Sequence, residues 1–200
     1  QNGLDNAGTL ARLLPGRKVL AGMVPFNVVM LAAGVYHQGS SGQLVVQQDP
    51  AVDGFAEAFR HAGLPLKQAA DMQGVLWAKL LLNLNNAVNA LANLPLREEL
   101  AQRDFRRCLA LAMQEALALL ELDGRVRLAR LAPLPMRWLP SVLRLPDWIF
   151  ARLARQMLEI DEKARSSMSD DLEAGRLPEI RWLNGEIVAL ALSLRRPAPV

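Results

Sequence analysis

An apolar stretch near the middle of the chain carries polar residues at helical spacing. It spans residues 74–91 and has no proline or glycine after its first position. Such a stretch is too long for one strand and predicts a buried helix that ends near Pro95. On a helix that turns by about 100° per residue, Asn83 and Asn86 fall within about 40° of Lys79. The three side chains therefore share one stripe.

Two further asparagines leave this stripe. On the same geometry Asn89 lies about 80° from Lys79, on its flank, and Asn85 lies about 120° away, on another side. Polar groups on an apolar helix need hydrogen-bond partners. A polar cleft would supply them, and so would neighbouring backbone groups around a lysine whose ammonium reaches water. The pattern leaves both readings open.

Strands and short helices alternate before this stretch. We predict a helix at residues 6–14 with Asn6 as its cap, strands at 17–24, 26–37, 43–48 and 64–69, a turn at 39–42, and a helix from Asp49-Pro50 to residue 61. After it, the pattern is helical. We predict helices at 97–121, 148–165 and 179–195, a proline-broken segment at 125–144, and a segment at 166–174 that continues or restarts the preceding helix. The boundary between the two parts falls near residue 70.

Composition narrows the class of protein. The 200 residues are 52% hydrophobic and carry a net charge of +3. The single cysteine, Cys108, excludes an internal disulfide framework and favours a reducing compartment, the cytoplasm. An uncharged stretch at 19–36 is interrupted by glycine, proline and asparagine, so two buried strands explain it better than a membrane span. The chain starts at Gln1 rather than at methionine, and we expect it to be a piece of a longer protein.

Most recurrent functional signatures are absent from the sequence. It contains no P-loop, no Gly-x-Gly-x-x-Gly and no Gly-x-Ser-x-Gly. The two histidines, His37 and His61, and the remote Cys108 make a metal site an unfavoured interpretation. Residues 125–155 contain seven arginines and one acid, and we interpret them as a solvated helical face rather than a nucleic-acid surface.

A second polar cluster lies late in the chain. The run Ser166-Ser167-Met168-Ser169-Asp170-Asp171 is followed by Gly175-Arg176-Leu177-Pro178-Glu179. A glutamate at the start of a helix is favoured by capping and by the helix dipole, which is a purely structural explanation of Glu179. It leaves unexplained a serine pair inside a helical run, because serine is a poor helix former.

Three motifs together resemble the ketopantoate reductases, NADPH-dependent enzymes of pantothenate (coenzyme A precursor) biosynthesis. The motifs are Gln1-Asn2-Gly3, Trp77-Ala78-Lys79-Leu80 with Asn83, and the run from Ser166 to Asp171 with Gly175-Arg176, Glu179-Ile180 and Asn184-Gly185. Their order and spacing match over nearly the whole chain. Each motif alone is weak, and together they are specific.

The resemblance implies an architecture. Residues 1–70 would be an α/β remnant, the C-terminal part of a Rossmann dinucleotide-binding domain whose first half carries the Gly-rich loop. Residues 71–200 would be an all-α substrate-binding and catalytic domain of the hydroxyacid/phosphogluconate dehydrogenase C-terminal type. A final helix would follow the end of the chain. Homodimers are common in the family, so a homodimer is expected here.

The resemblance also implies roles for single residues. Lys79 would be the general acid that protonates the ketone of 2-dehydropantoate (ketopantoate) to give pantoate, and Asn83 and Ser167 would bind this small 2-oxo acid. Glu179 would orient the cofactor or the lysine, and Asn2 would lie between NADPH and substrate.

Two positions depart from the family pattern. Ala87 stands where the family has its second asparagine, and Asn86 is expected to bind substrate in its place. Arg97 stands where a later asparagine is found. A related reductase of another small 2-oxo acid or ketone is therefore a second hypothesis. A non-catalytic helical module, in which Lys79 and the asparagines only satisfy each other, is a third.

Overall fold

The structure is a computed structural model that describes residues 2–26, 28–38, 42–131, 134–153 and 164–200. These residues form two compact units. One unit is Gly3–Leu76, and the other consists of Asn2 together with Trp77–Val200.

The first unit is a small α/β arrangement. Its elements are α1 (Asn6–Leu13), β1 (Gly22–Met23), β2 (Val28–Ala32), β3 (Val35–Gln38), β4 (Leu44–Gln47), α2 (Pro50–His61) and β5 (Leu66–Ala69). One sheet has the order β1-β4-β5, with β1 antiparallel and β5 parallel to β4. Strands β2 and β3 pair separately as an antiparallel hairpin.

Helix α2 connects the two parallel strands, as a parallel connection requires. The Asp49 side chain begins this helix by accepting a hydrogen bond of 2.8 Å from the backbone N–H of Ala51, and it also binds Lys18. Val52 on the first turn is fully buried. The strand–helix–strand unit over residues 44–69 agrees with the elements predicted there.

Other predictions for the first unit were wrong. The helix at 6–13 starts after Asp5 and not with Asn6 as its cap. The strand predicted at 17–24 is reduced to β1, and the one predicted at 26–37 is a hairpin that turns at Gly34, where φ is 77°. Glycine adopts this conformation without strain. The turn predicted at 39–42 lies largely outside the described residues.

Helices dominate the chain from residue 72 onward. They are α3 (Met72–Asn83), α4 (Asn85–Ala92), α5 (Leu96–Ala101), α6 (Arg103–Asp123), α7 (Leu139–Leu143), α8 (Asp147–Leu153), α9 (Ser167–Glu173) and α10 (Asn184–Ser193), with 3-10 turns at Met136–Trp138 and Glu179–Trp182. Their buried faces form the core of the second unit around Leu81, Leu84, Met113 and Leu183. In the described part of the chain, no helix has both the length and the apolar character needed to cross a membrane.

Several predicted helices are shorter than the sequence pattern indicated. The run at 74–91 divides at Leu84, the run at 97–121 divides at Gln102, and the run at 179–195 divides at Leu183. Gln102 has an extended backbone, with ψ of 122°, which no helix accommodates.

The helix predicted at 148–165 begins as α8, and its residues 154–163 lie outside the described residues. Residues 164–166 are not helical, so the predicted end at residue 165 was wrong and α9 is a new helix. Ser166 is its N-cap, since the Ser166 Oγ accepts a hydrogen bond of 3.2 Å from the backbone N–H of Ser169. Serine is favoured at this position, which explains the serine pair that seemed misplaced within a helix.

One buried arginine on α6 joins this helix to α5, α7 and α8 through hydrogen bonds and a ring contact. Arg106 on α6 has no exposed surface, and its guanidinium lies over the ring of Phe150 on α8. Its five N–H groups donate to the carbonyls of Leu100, Ala101, Leu143 and Leu145 and to Asp147 Oδ1, at 2.8–3.1 Å. The ends of α5 and α7 and the start of α8 thus meet on one side chain. Every donor of the guanidinium is used.

Candidate active site

The predicted lysine and the first asparagine of the stripe lie on the last turns of α3. Lys79 is half-buried, with fully or nearly fully buried neighbours Ala78 and Leu80. Asn83 follows four residues later, one helical turn further on, and is also half-buried. The apolar residues around them are largely buried, and Lys79 and Asn83 stay partly accessible.

Asn2 connects the stripe to Glu179. The Asn83 Nδ2 donates a hydrogen bond of 3.0 Å to Asn2 Oδ1, and the Asn2 Nδ2 donates one of 2.6 Å to Glu179 Oε2. Glu179 begins the 3-10 turn that follows Pro178, where the chain leaves α9. We call Lys79, Asn83, Asn2 and Glu179 the lysine cluster.

The electrostatics of the lysine cluster concern the ammonium group. Burial lowers the pKa of Lys79 from its usual value, because the charged form loses solvation. The negative charge of Glu179 opposes this effect and raises the pKa in part. Lys79 is therefore a stronger acid than a solvated lysine, and a carboxylate of the same cluster favours retention of its proton.

Asn86 and Ser167 form a second predicted pair. Asn86 lies on the first turn of α4 and Ser167 is the first residue of α9. The Asn86 Nδ2 lies 3.5 Å from Ser167 Oγ, to which it donates. Ser167 is exposed, so its hydroxyl and the Asn86 amide can both reach a ligand. The hydrogen bonds described above thus connect Asn2, Asn83 and Glu179 in one group and Asn86 and Ser167 in another.

Sequence reasoning missed a third group of polar residues. Glu99 on α5 is fully buried and accepts hydrogen bonds at Oε2 from Asn89 Nδ2 (2.8 Å) and Asn85 Nδ2 (3.2 Å), both on α4. We call Asn85, Asn89 and Glu99 the buried cluster. The signal was present, since Asn85 and Asn89 are one turn apart on a face that points away from Lys79. The glutamate on another helix could not be paired with them from spacing alone.

The residues that depart from the family pattern differ in their surroundings. Ala87 is half-buried on α4, next to Asn86, and offers no hydrogen bond to a ligand through its side chain. Arg97 is exposed on the first turn of α5.

Known proteins similar to this chain agree with the resemblance seen in its sequence. The family model described as "Ketopantoate reductase PanE/ApbA C terminal" matches residues 71–200. A 2-dehydropantoate 2-reductase of Halobacterium salinarum is 27% identical over 197 residues, which cover 96% of this chain and 59% of that protein. The chain thus spans somewhat more than half the length of that relative.

Solved structures give the same result for the fold. The crystal structure of a PanE/ApbA family ketopantoate reductase from Ralstonia eutropha has a TM-score of 0.77 and 30% identity, covering 100% of this chain and 60% of that one. A ternary structure of D-mandelate dehydrogenase with NADH and anilino(oxo)acetate has a TM-score of 0.73 at 16% identity, covering 99% of this chain and 61% of that one, a likeness of fold alone. The predicted fold class, an α/β remnant followed by an all-α domain, is confirmed, and the chain belongs to the ketopantoate reductase family through the C-terminal domain matched at residues 71–200.

Proposed function

We propose that this chain is the larger part of an NADPH-dependent reductase that converts 2-dehydropantoate to pantoate. In this proposal, residues 1–70 complete a dinucleotide-binding domain and residues 71–200 bind the substrate and carry the acid. The observation that carries the proposal is the lysine cluster. It combines an ammonium of lowered pKa with a carboxylate and two carboxamides joined by hydrogen bonds of 2.6 and 3.0 Å.

The chemistry of this cluster suits ketone reduction. The carbonyl oxygen of a 2-oxo acid gains negative charge as its carbon is reduced. The Lys79 ammonium stabilises that charge and then transfers a proton from Nζ to the oxygen, which gives the 2-hydroxy acid. A lowered pKa makes this transfer more favourable, and the Glu179 charge keeps the proton on Lys79 until substrate is bound.

The other residues orient the substrate. Asn83 keeps one amide hydrogen beyond its bond to Asn2 and can donate it to the keto or hydroxyl oxygen. Ser167 Oγ and Asn86 Nδ2, 3.5 Å apart, offer two donors for the substrate carboxylate. When both ends of a small substrate are held in this way, its translational and rotational entropy is lost on binding. The chemical step then does not have to supply that cost.

The residues present fit one end of the cofactor. NADPH, when bound, supplies the hydride. The Asn2 carboxamide has the donor and acceptor chemistry that suits a nicotinamide amide, and its bonds to Glu179 and Asn83 fix its orientation. The sequence has no Gly-x-Gly-x-x-Gly loop to hold the phosphates, so we propose that the 200-residue chain alone binds NADPH weakly and is inactive.

An oxidation assay tests the proposal. The full-length protein to which this chain belongs is incubated with NADPH and a panel of small 2-oxo acids, with NADH in a parallel series. We expect the highest kcat/KM with 2-dehydropantoate and NADPH. Absence of NADPH oxidation with every 2-oxo acid would refute the proposed reductase function. A preference for NADH would refute NADPH as the cofactor.

A second substrate has specific support. Ala87 and Arg97 replace two asparagines that contact substrate in the resembled family, and Ala87 removes a donor next to Asn86. A related 2-oxo acid or ketone with a less polar tail would lose less binding free energy from the absence of this donor. The same panel decides, since a less polar 2-oxo acid would then exceed 2-dehydropantoate in kcat/KM.

Assembly and location remain predictions. A homodimer is expected from the resemblance, and light scattering of the purified full-length protein measures it. A cytoplasmic location is proposed from the single cysteine, which favours a reducing compartment, and cell fractionation tests it.

A further inference from the structure

Glu99 is a carboxyl group in an environment that suits its uncharged form. Its side chain is fully buried on α5. Among the residues that the structure describes, its hydrogen bonds come from the carboxamides of Asn85 and Asn89, both of which donate to Oε2, and none comes from a lysine, arginine or histidine. A buried charge without a cationic partner is costly, whereas a buried acid that finds hydrogen bonds is not.

Two oxygens of this cluster identify where the proton would be. Among the described residues, Glu99 Oε1 and Asn85 Oδ1 are buried and have no hydrogen-bond partner. Both belong to the pair of groups already joined by the bond from Asn85 Nδ2 to Glu99 Oε2. If Oε1 carries a proton it becomes a donor, and Asn85 Oδ1 is an acceptor on the adjoining amide. An acid and an amide then form two parallel hydrogen bonds, and neither oxygen is left unpaired. Burial also raises the pKa of Glu99, an effect that the hydrogen bonds from Asn89 and Asn85 oppose in part.

Asn89 connects Glu99 to the start of α9 through hydrogen bonds. Its Nδ2 donates to Glu99 Oε2 and to the carbonyl of Leu94 (2.9 Å). Its Oδ1 accepts a hydrogen bond of 2.9 Å from the backbone N–H of Ser166. Both N–H groups and the oxygen of the carboxamide are hydrogen-bonded, so Asn89 has one orientation in which all three bonds are made.

Ser166 fixes its neighbour in turn. Its hydroxyl donates to the carbonyl of Asn86 at 3.2 Å and caps α9 through the backbone N–H of Ser169. Ser167, the next residue, receives the bond from the Asn86 side chain. The proposed substrate pair, Asn86 and Ser167, therefore lies on two backbone segments that are joined through Ser166 and Asn89.

We propose that Glu99 is an uncharged carboxylic acid and a positioning residue that holds Ser167 in place for the substrate carboxylate, through Asn89 and Ser166. The last step of this proposal depends on the proposed reductase function. The protonation of Glu99 and its connection to Ser166 do not.

The protonation state is measured without an activity assay. Carbon-13 NMR of the protein labelled in its glutamate carboxyls is recorded at neutral pH, with Glu99→Gln to assign the signal. We expect the Glu99 signal at the chemical shift of a protonated acid. A shift typical of an ionised carboxylate would overturn the proposal.

The connection to α9 is tested with two substitutions of different chemistry. Glu99→Leu keeps the volume and removes both hydrogen-bond acceptors, whereas the amide of Glu99→Gln can reproduce the bonds of a neutral acid. We expect the backbone N–H of Ser166 to exchange with solvent faster in Glu99→Leu, and Glu99→Gln to restore the rate. The exposed neighbour Glu98 gives the matched control, Glu98→Gln. Equal exchange in all the variants would overturn the connection, and if Glu99→Leu does not fold, the NMR state and Glu99→Gln still decide.

The kinetic test uses the full-length protein. In Glu99→Leu we expect KM for the 2-oxo acid to rise about threefold to tenfold, the equivalent of one lost hydrogen bond, with kcat changed less than about twofold. Glu99→Gln should rescue KM. Because the effect acts through Ser167, it should vanish in a Ser167→Ala background. Additive effects of the two substitutions would contradict positioning. If the wild type shows no reductase activity, the proposed function fails, and the NMR and exchange results still test Glu99.

Discussion

The lysine cluster and the buried cluster both contain asparagines and a glutamate, but the two clusters differ in their surroundings. Each combines two asparagines with one glutamate from a later element: Asn2 and Asn83 with Glu179 in the lysine cluster, and Asn85 and Asn89 with Glu99 in the buried cluster. In the lysine cluster all four members are half-buried, so their side chains are partly accessible to a ligand. In the buried cluster both N–H groups and the oxygen of Asn89 are hydrogen-bonded, and Asn89 and Glu99 are fully buried.

The two clusters contain similar residue types but differ in solvent accessibility and in charge balance. These two properties distinguish the proposed active site from the structural cluster. The lysine cluster contains a cation beside its carboxylate, so its hydrogen bonds can be exchanged for bonds to a charged substrate. The buried cluster contains no cation, so its stability depends on complete pairing of neutral groups. Substitutions in the first cluster should therefore change activity most, and substitutions in the second should change folding most, with a smaller effect on KM through Ser167.

The largest expected effect is on catalysis by the lysine cluster. Lys79→Ala removes both the proton donor and the charge that stabilises the developing oxyanion, and we expect kcat/KM to fall by a factor of about 10³. NADPH oxidation by the full-length protein measures it. The free energy of unfolding should fall little or even rise, because a half-buried charge is removed. Turnover equal to that of the wild type would show that Lys79 takes no part in the reaction. The proposed functional difference between the two clusters would then be wrong.

A large effect on stability is expected in the buried cluster. Asn89→Ala leaves the Leu94 carbonyl and the Ser166 N–H without their partner and takes one donor from Glu99. We expect a loss of about 3 kcal/mol in the free energy of unfolding. Urea denaturation followed by circular dichroism measures this loss. A loss below that of an exposed substitution such as Glu98→Gln would contradict the structural role.

Asn83→Ala is the matched counterpart in the lysine cluster. It removes one half-buried hydrogen bond, to Asn2, so we expect a stability loss of less than about 1 kcal/mol. The proposed substrate contact should make kcat/KM fall about tenfold. Denaturation and kinetics on the same preparation separate the two quantities. A stability loss as large as that of Asn89→Ala, with unchanged kinetics, would reverse the assignment.

The smallest effect concerns the pH dependence of the lysine cluster. A general acid acts while protonated, so kcat/KM should be constant at lower pH and should fall as pH rises through the pKa of Lys79. Burial places this fall below the value of ~10.4 for a free lysine. Glu179→Gln removes the charge that raises the pKa, so the fall should begin at lower pH than in the wild type. Identical alkaline limbs in the two proteins would show that Glu179 does not act on Lys79.

The sequence predicted the elements whose signals are local. The helix at 50–61 has its Asp-Pro start and a glycine at position 63 after its end, and the strand at 44–47 follows a turn-rich segment. The predictions failed where an element is interrupted by tertiary contacts. Gln102 turns out of the helix although its neighbours are good helix formers, and the ends that meet there are held by Arg106, which lies in a later turn.

The candidate site was predictable for a related reason. Helical spacing predicts that Lys79, Asn83 and Asn86 share a stripe and that Asn85 lies on another side, and in the structure Asn85 donates to Glu99. The bonds from Asn2 to Glu179 and from Asn86 to Ser167 join residues separated by 177 and 81 positions, which periodicity cannot pair. The family resemblance assigned roles to these four residues, but it predicted neither bond. The buried cluster had neither source of information.

The five bonded N–H groups of Arg106 have a spectroscopic consequence. Guanidinium protons exchange quickly with water when they are exposed, but these are enclosed and each is donated to a fixed acceptor. Their NMR signals should therefore be separate and long-lived. Because their acceptors lie at the ends of α5 and α7 and at the start of α8, loss of individual signals would report which helix end detaches first as the protein opens.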